Sequence, residues 1–293
     1  MLTAMQEKPY RVVDKALDIS SLPTSPVDAE LSNDFYKSEL KKYIKELGQL
    51  QHKLFAEDKQ SLLVVFQAMD AAGKDSTIRA VMRGVNPAGC EVYSFKKPSS
   101  RELDHDYLWR TTKSMPERGR IGVFNRSYYE EVLVVRVHPE YLNHQRLPVL
   151  PSNLDELWEQ RYESINALEK HMSLNGTTVI KFWLNVSKEE QKQRFLSRLD
   201  EPEKHWKFST ADVKERGYWD DYMYAYQEML RATSTDYAPW YTIPADNKKY
   251  MRMVVAKIMV ETLRDMNPQY PVPKLSELEK FSTMRQLLQA EKA

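Results

Sequence analysis

The chain has 293 residues, 42% of them hydrophobic and 29% charged, the balance of a globular protein able to bury a substantial core. Lys and Arg number 43 against 42 Asp and Glu, a net charge of +1, so no overall field gathers polyanions, any site for them must be a local patch, and neither nucleic acid nor membrane is an expected partner. The single Cys90 excludes an intramolecular disulfide, and no apolar leader or long uncharged apolar span is present, which fits a cytoplasmic setting.

Residues 1–30 read as an N-terminal arm. Tyr36, Leu40, Tyr43, Leu47, Leu50 and Leu54 then recur at helical spacing and predict an amphipathic helix leading into the first strand. Short apolar runs follow at Leu62–Phe66, Glu91–Phe95, Ile121–Phe124, Thr177–Leu184 and Trp240–Ile243, separated by segments of helical period or composition. Buried parallel strands with crossover helices give that rhythm, so the fold class is α/β. Leu154, Trp158, Tyr162, Ile165 and Leu168 share one face of a long helix that Asn175-Gly176 ends, and this helix should pack on the sheet. The Pro-bearing stretch from Asn267 to Lys274 opens a C-terminal extension, 267–293, which leaves 31–266 as one domain.

The chemistry begins at the end of the first strand. In "LLVVFQAMDAAGKDSTIRAVM" an apolar run breaks into small residues, reaches Gly73-Lys74 and turns helical, the order of a phosphate-binding loop. Ala68 stands where such a loop has its first glycine, and Asp75 stands where a hydroxyl is expected. The position is still right for an anion, because the backbone N–H groups of Ala71, Ala72 and Gly73 and the helix dipole all favour negative charge. Lys74 follows the loop to the phosphates as a flexible point charge. Asp75 complements the dipole of the first helical turn, and Ser76 and Thr77 offer hydroxyls slightly later. A carboxylate at Asp70 would be repelled by phosphate by about 4 kcal/mol per charge pair at ~4 Å in an intermediate dielectric, unless a cation sits between them. Asp70 therefore implies bound Mg²⁺; a solvent-facing turn residue is the alternative.

A second constellation is "IGVFNRSYYEEVLVVRVHPEYL". The strand ends in Asn125, a neutral amide, where an acid would make a metal-binding element, so metal or base duty falls to Glu130 or Glu131. Arg126 follows at once; a guanidinium at a strand end grips phosphate bidentately, although Arg–carboxylate pairs also terminate strands. Arg136 is a further candidate phosphate ligand.

Together with "SFKKPSSRELDHDYLWR", "HWKFSTADVKERGYWDDY" and "TSTDYAPWYTIPADNK", these motifs resemble the second family of polyphosphate kinases, over about Leu31 to Leu263. The Asn125-Arg126 pair resembles the subgroup that acts on AMP as well as ADP. The resemblance implies a P-loop kinase fold similar to thymidylate kinase, a parallel sheet with helices on both faces and a helical lid at about 188–220. It also implies Mg²⁺-dependent transfer between inorganic polyphosphate and AMP, ADP or ATP. It assigns phosphate binding to Lys74 and Arg126, metal binding to Asp70 and lid contacts to the basic residues after Lys188, with Glu130 completing the catalytic set. A homo-oligomer is expected.

The lid is also readable directly. Arg194 and Arg198 are four apart and share a helical face, Lys204 and Lys207 lie just beyond, and Lys96, Lys97 and Arg101 follow the second strand. Together they could surround an extended anionic chain. Trp206, Tyr218, Trp219 and Trp240 read as core and hinge packing. Two other classes stay open: an ATP-dependent nucleoside monophosphate kinase, which would use the same fold, and a non-catalytic polyanion-binding module.

Overall fold

The computed structural model describes residues 10–13, 15–26 and 31–291, so the remainder of the N-terminal arm and the last two residues lie outside the described residues. The apolar runs form β1 (Ser61–Gln67), β2 (Cys90–Ser94), β3 (Ile121–Asn125), β4 (Thr177–Asn185) and β5 (Trp240–Pro244), each within a residue of its expected bounds. They make one five-stranded sheet in the order β2-β3-β1-β4-β5, and every pairing is parallel. β1 lies at its centre and is buried throughout, with Leu62 level with Ile121 on one side and Thr178 on the other.

In chain order the helices are α1 (Asn33–Glu57), α2 (Lys74–Val81), the short α3 (Ser100–Leu103), α4 (Trp109–Thr112), α5 (Val134–Val137) and α6 (Leu142–Gln145), and the long α7 (Leu154–Leu174). There follow α8 (Lys188–Asp200), α9 (Thr210–Glu215), α10 (Trp219–Thr233), α11 (Lys248–Met266) and α12 (Leu275–Ala290). Ser32 caps α1 by accepting from the Phe35 N–H, and Asn153 caps α7 by accepting from Asp155 N–H. α1, α2 and α11 pack together on one face of the sheet and α7 and α10 on the other. Because all strands point the same way, the loops after them converge at one edge. The chain leaves β1 toward β2 and later returns past it to β4, so the crevice beside β1 and β3 is the topological switch point where ligands bind in such sheets.

Two features were not readable from periodicity. Residues 10–26, where described, lie as a strap along β5: Val12 N–H donates to Trp240 O and Thr242 N–H to Tyr10 O, both at 2.9 Å, and Asn185 donates to the Leu22 and Pro23 carbonyls. The strap covers an otherwise open sheet edge. Inside the opposite layer, Lys181 of β4 is fully buried and donates to Glu169 of α7 at 2.5 Å and to Tyr129 Oη and Thr233 O at 2.8 Å. The Tyr128 and Tyr129 hydroxyls also donate to Glu169, each at 2.8 Å. Burial pulls the Lys181 ammonium down to about 8 against the pull of Glu169. Among the described residues no helix is long and apolar enough to cross a membrane.

Candidate active site

The loop 68–73 joins β1 to α2 with two residues in the left-handed region, Ala71 at φ 59° and Gly73 at φ 112°. Gly73 is required there twice over: a side chain would be strained at that φ, and a Cβ would stand 3.2 Å from Met251 Cε. Ala68 is absent from the positive-φ residues, which is why a side chain is tolerated where a phosphate loop usually has its first glycine. Its carbonyl accepts from Lys74 Nζ at 2.6 Å, with Met69 O at 3.3 Å. Lys74 is buried, and burial followed by the Arg126 charge lowers its ammonium to about 8 in spite of Asp70, Glu130 and Asp75.

Arg126 follows β3 at φ 63°, with its N–H on Phe66 O at 3.0 Å. Its guanidinium donates to Asp70 at 2.6 Å and to Glu130 at 3.4 Å, and these carboxylates, Glu130 foremost, raise it further above its ordinary range. Asn125 donates to the Asp75 carboxylate at 2.5 Å and to Ser94 at 3.4 Å. The amide at the strand end thus has a cause, since an Asp would meet Asp75 as a like charge. Glu131 is not available as a ligand: it is buried on Arg161 at 3.1 Å and Gln145 at 2.6 Å, and burial raises its carboxyl. Glu130 is the open carboxylate of the two.

Among the described residues three cavities border Arg126, and the two larger ones are unlike in character. The larger, about 680 Å³, is a groove lined by nine cationic side chains, Lys74, Lys96, Lys97, Arg126, Arg194, Arg198, Lys204, Lys207 and Lys248, against four acidic ones, Asp70, Asp75, Glu190 and Asp212. This is the local positive patch that a nearly neutral chain requires. The smaller, about 220 Å³, is a cleft walled by Leu103, Tyr107, Tyr128, Val134, Val135 and Tyr141, with His144, Gln145 and Glu130 at hand. Lys96, Lys97 and Arg126 border both cavities.

Several expected ligands have other work. Arg194 is buried and donates to four carbonyls, Ala71 and Ala72 of the loop and Ala245 and Asp246 after β5, while its Nε donates to Glu190 at 2.7 Å. It touches the groove, but its donors are spent on holding the loop. Arg136 is turned by α5 away from both cavities: it donates to Tyr162 Oη at 2.8 Å and lies over the Trp158 and Tyr224 rings. Thr77 is buried under the loop against Met251, and Ala72 is buried too, whereas Ser76 borders the groove. Arg198 faces the groove, 3.2 Å from Asp212, and Lys204 donates to Ser197 at 2.9 Å beside its ion pair with Glu201. Lys207 lies over the Trp206 ring. Trp206 is 78% exposed and Tyr218 43%, so neither packs the core, whereas Trp219 and Trp240 are buried.

Sequence reading missed Gln191, which donates to Asp70 O at 2.9 Å, and Asp212, whose carboxyl is raised by burial and then by Asp70. It also missed Lys248, although a strand end followed by an Asn-capped helix is a visible signal. The cleft walls carry none.

A family model described as polyphosphate kinase 2 matches residues 30–271. An ADP-polyphosphate phosphotransferase of Rhodopseudomonas palustris is 48% identical over 285 residues, 97% of this chain and 99% of that one. An AMP/ADP-polyphosphate phosphotransferase of Meiothermus ruber is 47% identical over 230 residues, 78% of this chain and 82% of that one. The crystal structure of polyphosphate kinase 2 from Arthrobacter aurescens superposes with a TM-score of 0.85 at 35% identity, covering 94% of this chain and 95% of that one.

Proposed function

The chain belongs to the polyphosphate kinase 2 family and is a polyphosphate–nucleotide phosphotransferase, and from that premise we propose that it passes the terminal phosphoryl group of inorganic polyphosphate to both AMP and ADP, reversibly and with Mg²⁺. The observation that carries the reading is the pair of unlike cavities sharing Arg126. A polyanion suits the cationic groove and a nucleotide, with an apolar base and a short phosphate tail, suits the cleft. The two phosphate ends then meet beside Lys74 and Arg126.

Lys74 and Arg126 hold the bridging and transferred oxygens, and the loop N–H groups receive the charge that develops there. Arg126 is poised by Asp70 and Glu130 and has to exchange part of that contact for phosphate. Positioning and electrostatics suffice, since a nucleotide phosphate oxygen attacks the terminal phosphorus directly while the bridging P–O bond behind it breaks and the chain leaves one phosphate shorter. Asp70 and Glu130 reach one guanidinium from two sides, at 2.6 and 3.4 Å. One or two carboxylates plus substrate phosphates are the usual holders of Mg²⁺, so these residues fit it; bound there, the ion would offset the charge of the phosphoryl oxygens.

Supporting action on AMP is Asn125, matching one subgroup, although the relatives' own names divide between ADP and AMP/ADP. A coupled assay with AMP or ADP as acceptor and polyphosphate or ATP as donor tests the reading. Turnover of both acceptors with polyphosphate is expected. Transfer to AMP from ATP with none from polyphosphate would make the protein a nucleoside monophosphate kinase instead.

A further inference from the structure

At the groove's wall and beyond it, α2 and α11 carry cations that the protein does not neutralise. Among the described residues Arg79, Lys248 and Arg252 form no ion pair and no side-chain hydrogen bond, and Arg252 Nε is buried without a partner. The two helices leave the site side by side. Met251 Cε lies 3.2 Å from where a Gly73 Cβ would stand, and Thr77 Oγ1 lies 3.9 Å from Met251 Sδ, so their first turns are level. On α11, Lys248 borders the groove and Arg252 follows one turn later; on α2, Ser76 borders the groove and Arg79 follows at the next turn.

The cations also act on one another. Burial, then Arg79 and Arg194, lower the Arg252 guanidinium, and burial, then Arg194, lowers the Lys248 ammonium. Glu190 is the carboxylate that favours the charge on Lys248, and Arg194 Nε already holds it at 2.7 Å. Like charges gathered without counterions oppose folding, and a ligand of opposite charge relieves them. Arg79 lies five residues beyond Lys74, about 7–8 Å along the helix axis, past the phosphate that Lys74 itself can hold.

We propose that Lys248, Arg252 and Arg79 form a distal subsite for inorganic phosphate chains, along which the phosphates behind the reacting one run out over the first turns of α2 and α11. The inference rests on the polyphosphate reading of the groove and adds a consequence to it: the enzyme discriminates donors by length. A short chain ends before Arg79, and a long one engages it.

The test compares the wild type with Arg79→Ala, Arg252→Ala, the double variant and Arg252→Lys. Donor KM is measured with tripolyphosphate and with a long polyphosphate, and equilibrium binding of the long chain is followed across ionic strength. The double variant should raise the long-chain KM by roughly tenfold, move the tripolyphosphate KM by less than about twofold, and flatten the salt dependence of long-chain binding, by analogy with counterion release from nucleic acid. Arg252→Lys should keep most of the long-chain preference. Equal shifts for both donors, no shift, or a wild type indifferent to length would overturn the subsite. If Arg252→Ala lowers the melting temperature, exposed Arg79→Ala decides alone by the same criterion. A wild type that uses ATP but no polyphosphate would instead defeat the functional reading beneath it.

Discussion

The groove and the cleft lie on either side of one arginine, yet they are built on different physics. The groove gathers nine cations against four acids, while the cleft, bordered by Lys96, Lys97, Arg110 and Arg126, adds to them an aromatic and aliphatic wall that the groove lacks. A polyanion can be recognised by charge alone and at any register, whereas a nucleotide has to be recognised by shape and a few polar groups. The groove should therefore tolerate the loss of one cation, and its binding should weaken with salt. The cleft should be sensitive to shape and little affected by salt.

The severest way to break this contrast is at the junction that both cavities share. Lys74→Ala should slow transfer by ~100-fold or more with either acceptor, leaving the fold intact, because in the proposed mechanism the ammonium acts on the transferring group. Steady-state kinetics with AMP and ADP, beside a thermal melt, measure this; near-normal turnover would defeat the phosphate-loop reading.

Next in size is a test within the groove wall. Arg194→Ala leaves four carbonyls without their donor and should cost about 2–4 kcal/mol of stability. Arg198→Ala, one turn away at a partly exposed position, should cost less than about 1 kcal/mol. Denaturant midpoints separate them, and equal losses would contradict the division into buttress and groove lining.

Smaller still is the split between substrates. Arg198→Ala and Lys207→Ala should each raise the polyphosphate KM by roughly 3–10-fold and barely move the nucleotide KM, while Val134→Ala in the cleft should do the reverse. Both constants measured over an ionic-strength series would reveal the contrast, and parallel shifts would erase it.

The mildest effect is on pH. Lys74 must be charged to hold phosphate, and with its ammonium lowered to about 8 it is charged below that pH and neutral above it. The free enzyme's kcat/KM for donor should thus fall as pH rises through about 8. Bound phosphates restore the charge, so the limb in kcat should lie at higher pH. Coincident limbs would mean that another group titrates.

Much of this was visible in the chain itself. The apolar runs fixed the strands to within a residue because buried parallel strands are continuous in their hydrophobicity, and the loop announced itself through Gly73-Lys74 at a strand end. Arg194 and Arg198 show the limit. Helical spacing says that they are neighbours, but which of them meets carbonyls from two distant loops depends on how α8 is set against β1 and β5. Arg136 failed for the same reason: proximity to Arg126 in sequence does not survive the turn at Leu133, after which Val134 and Val135 of α5 still line the cleft but Arg136 faces Tyr162, Trp158 and Tyr224. The cleft was invisible because its walls come from ordinary apolar residues brought together by tertiary packing.

The four carbonyl contacts of Arg194 have a mechanical consequence. They pin the first half of α8 to the phosphate loop and to the end of β5, so that part of the segment is a post and cannot swing. Arg216 ties back to α8 through Lys188 O and Gln191, and Glu215 is held by His138 and Tyr222, so any closure over the groove has to be a flap motion of the chain between these anchors, roughly the stretch from Pro202 to Lys214 that carries Lys204, Lys207 and Asp212. The loop is then equally rigid whether the flap is open or shut, and loading and release of the chain need not disturb the atoms that perform transfer. Backbone amides of 191–198 should exchange slowly with solvent and those of 203–213 quickly, with only the second set slowing when polyphosphate binds.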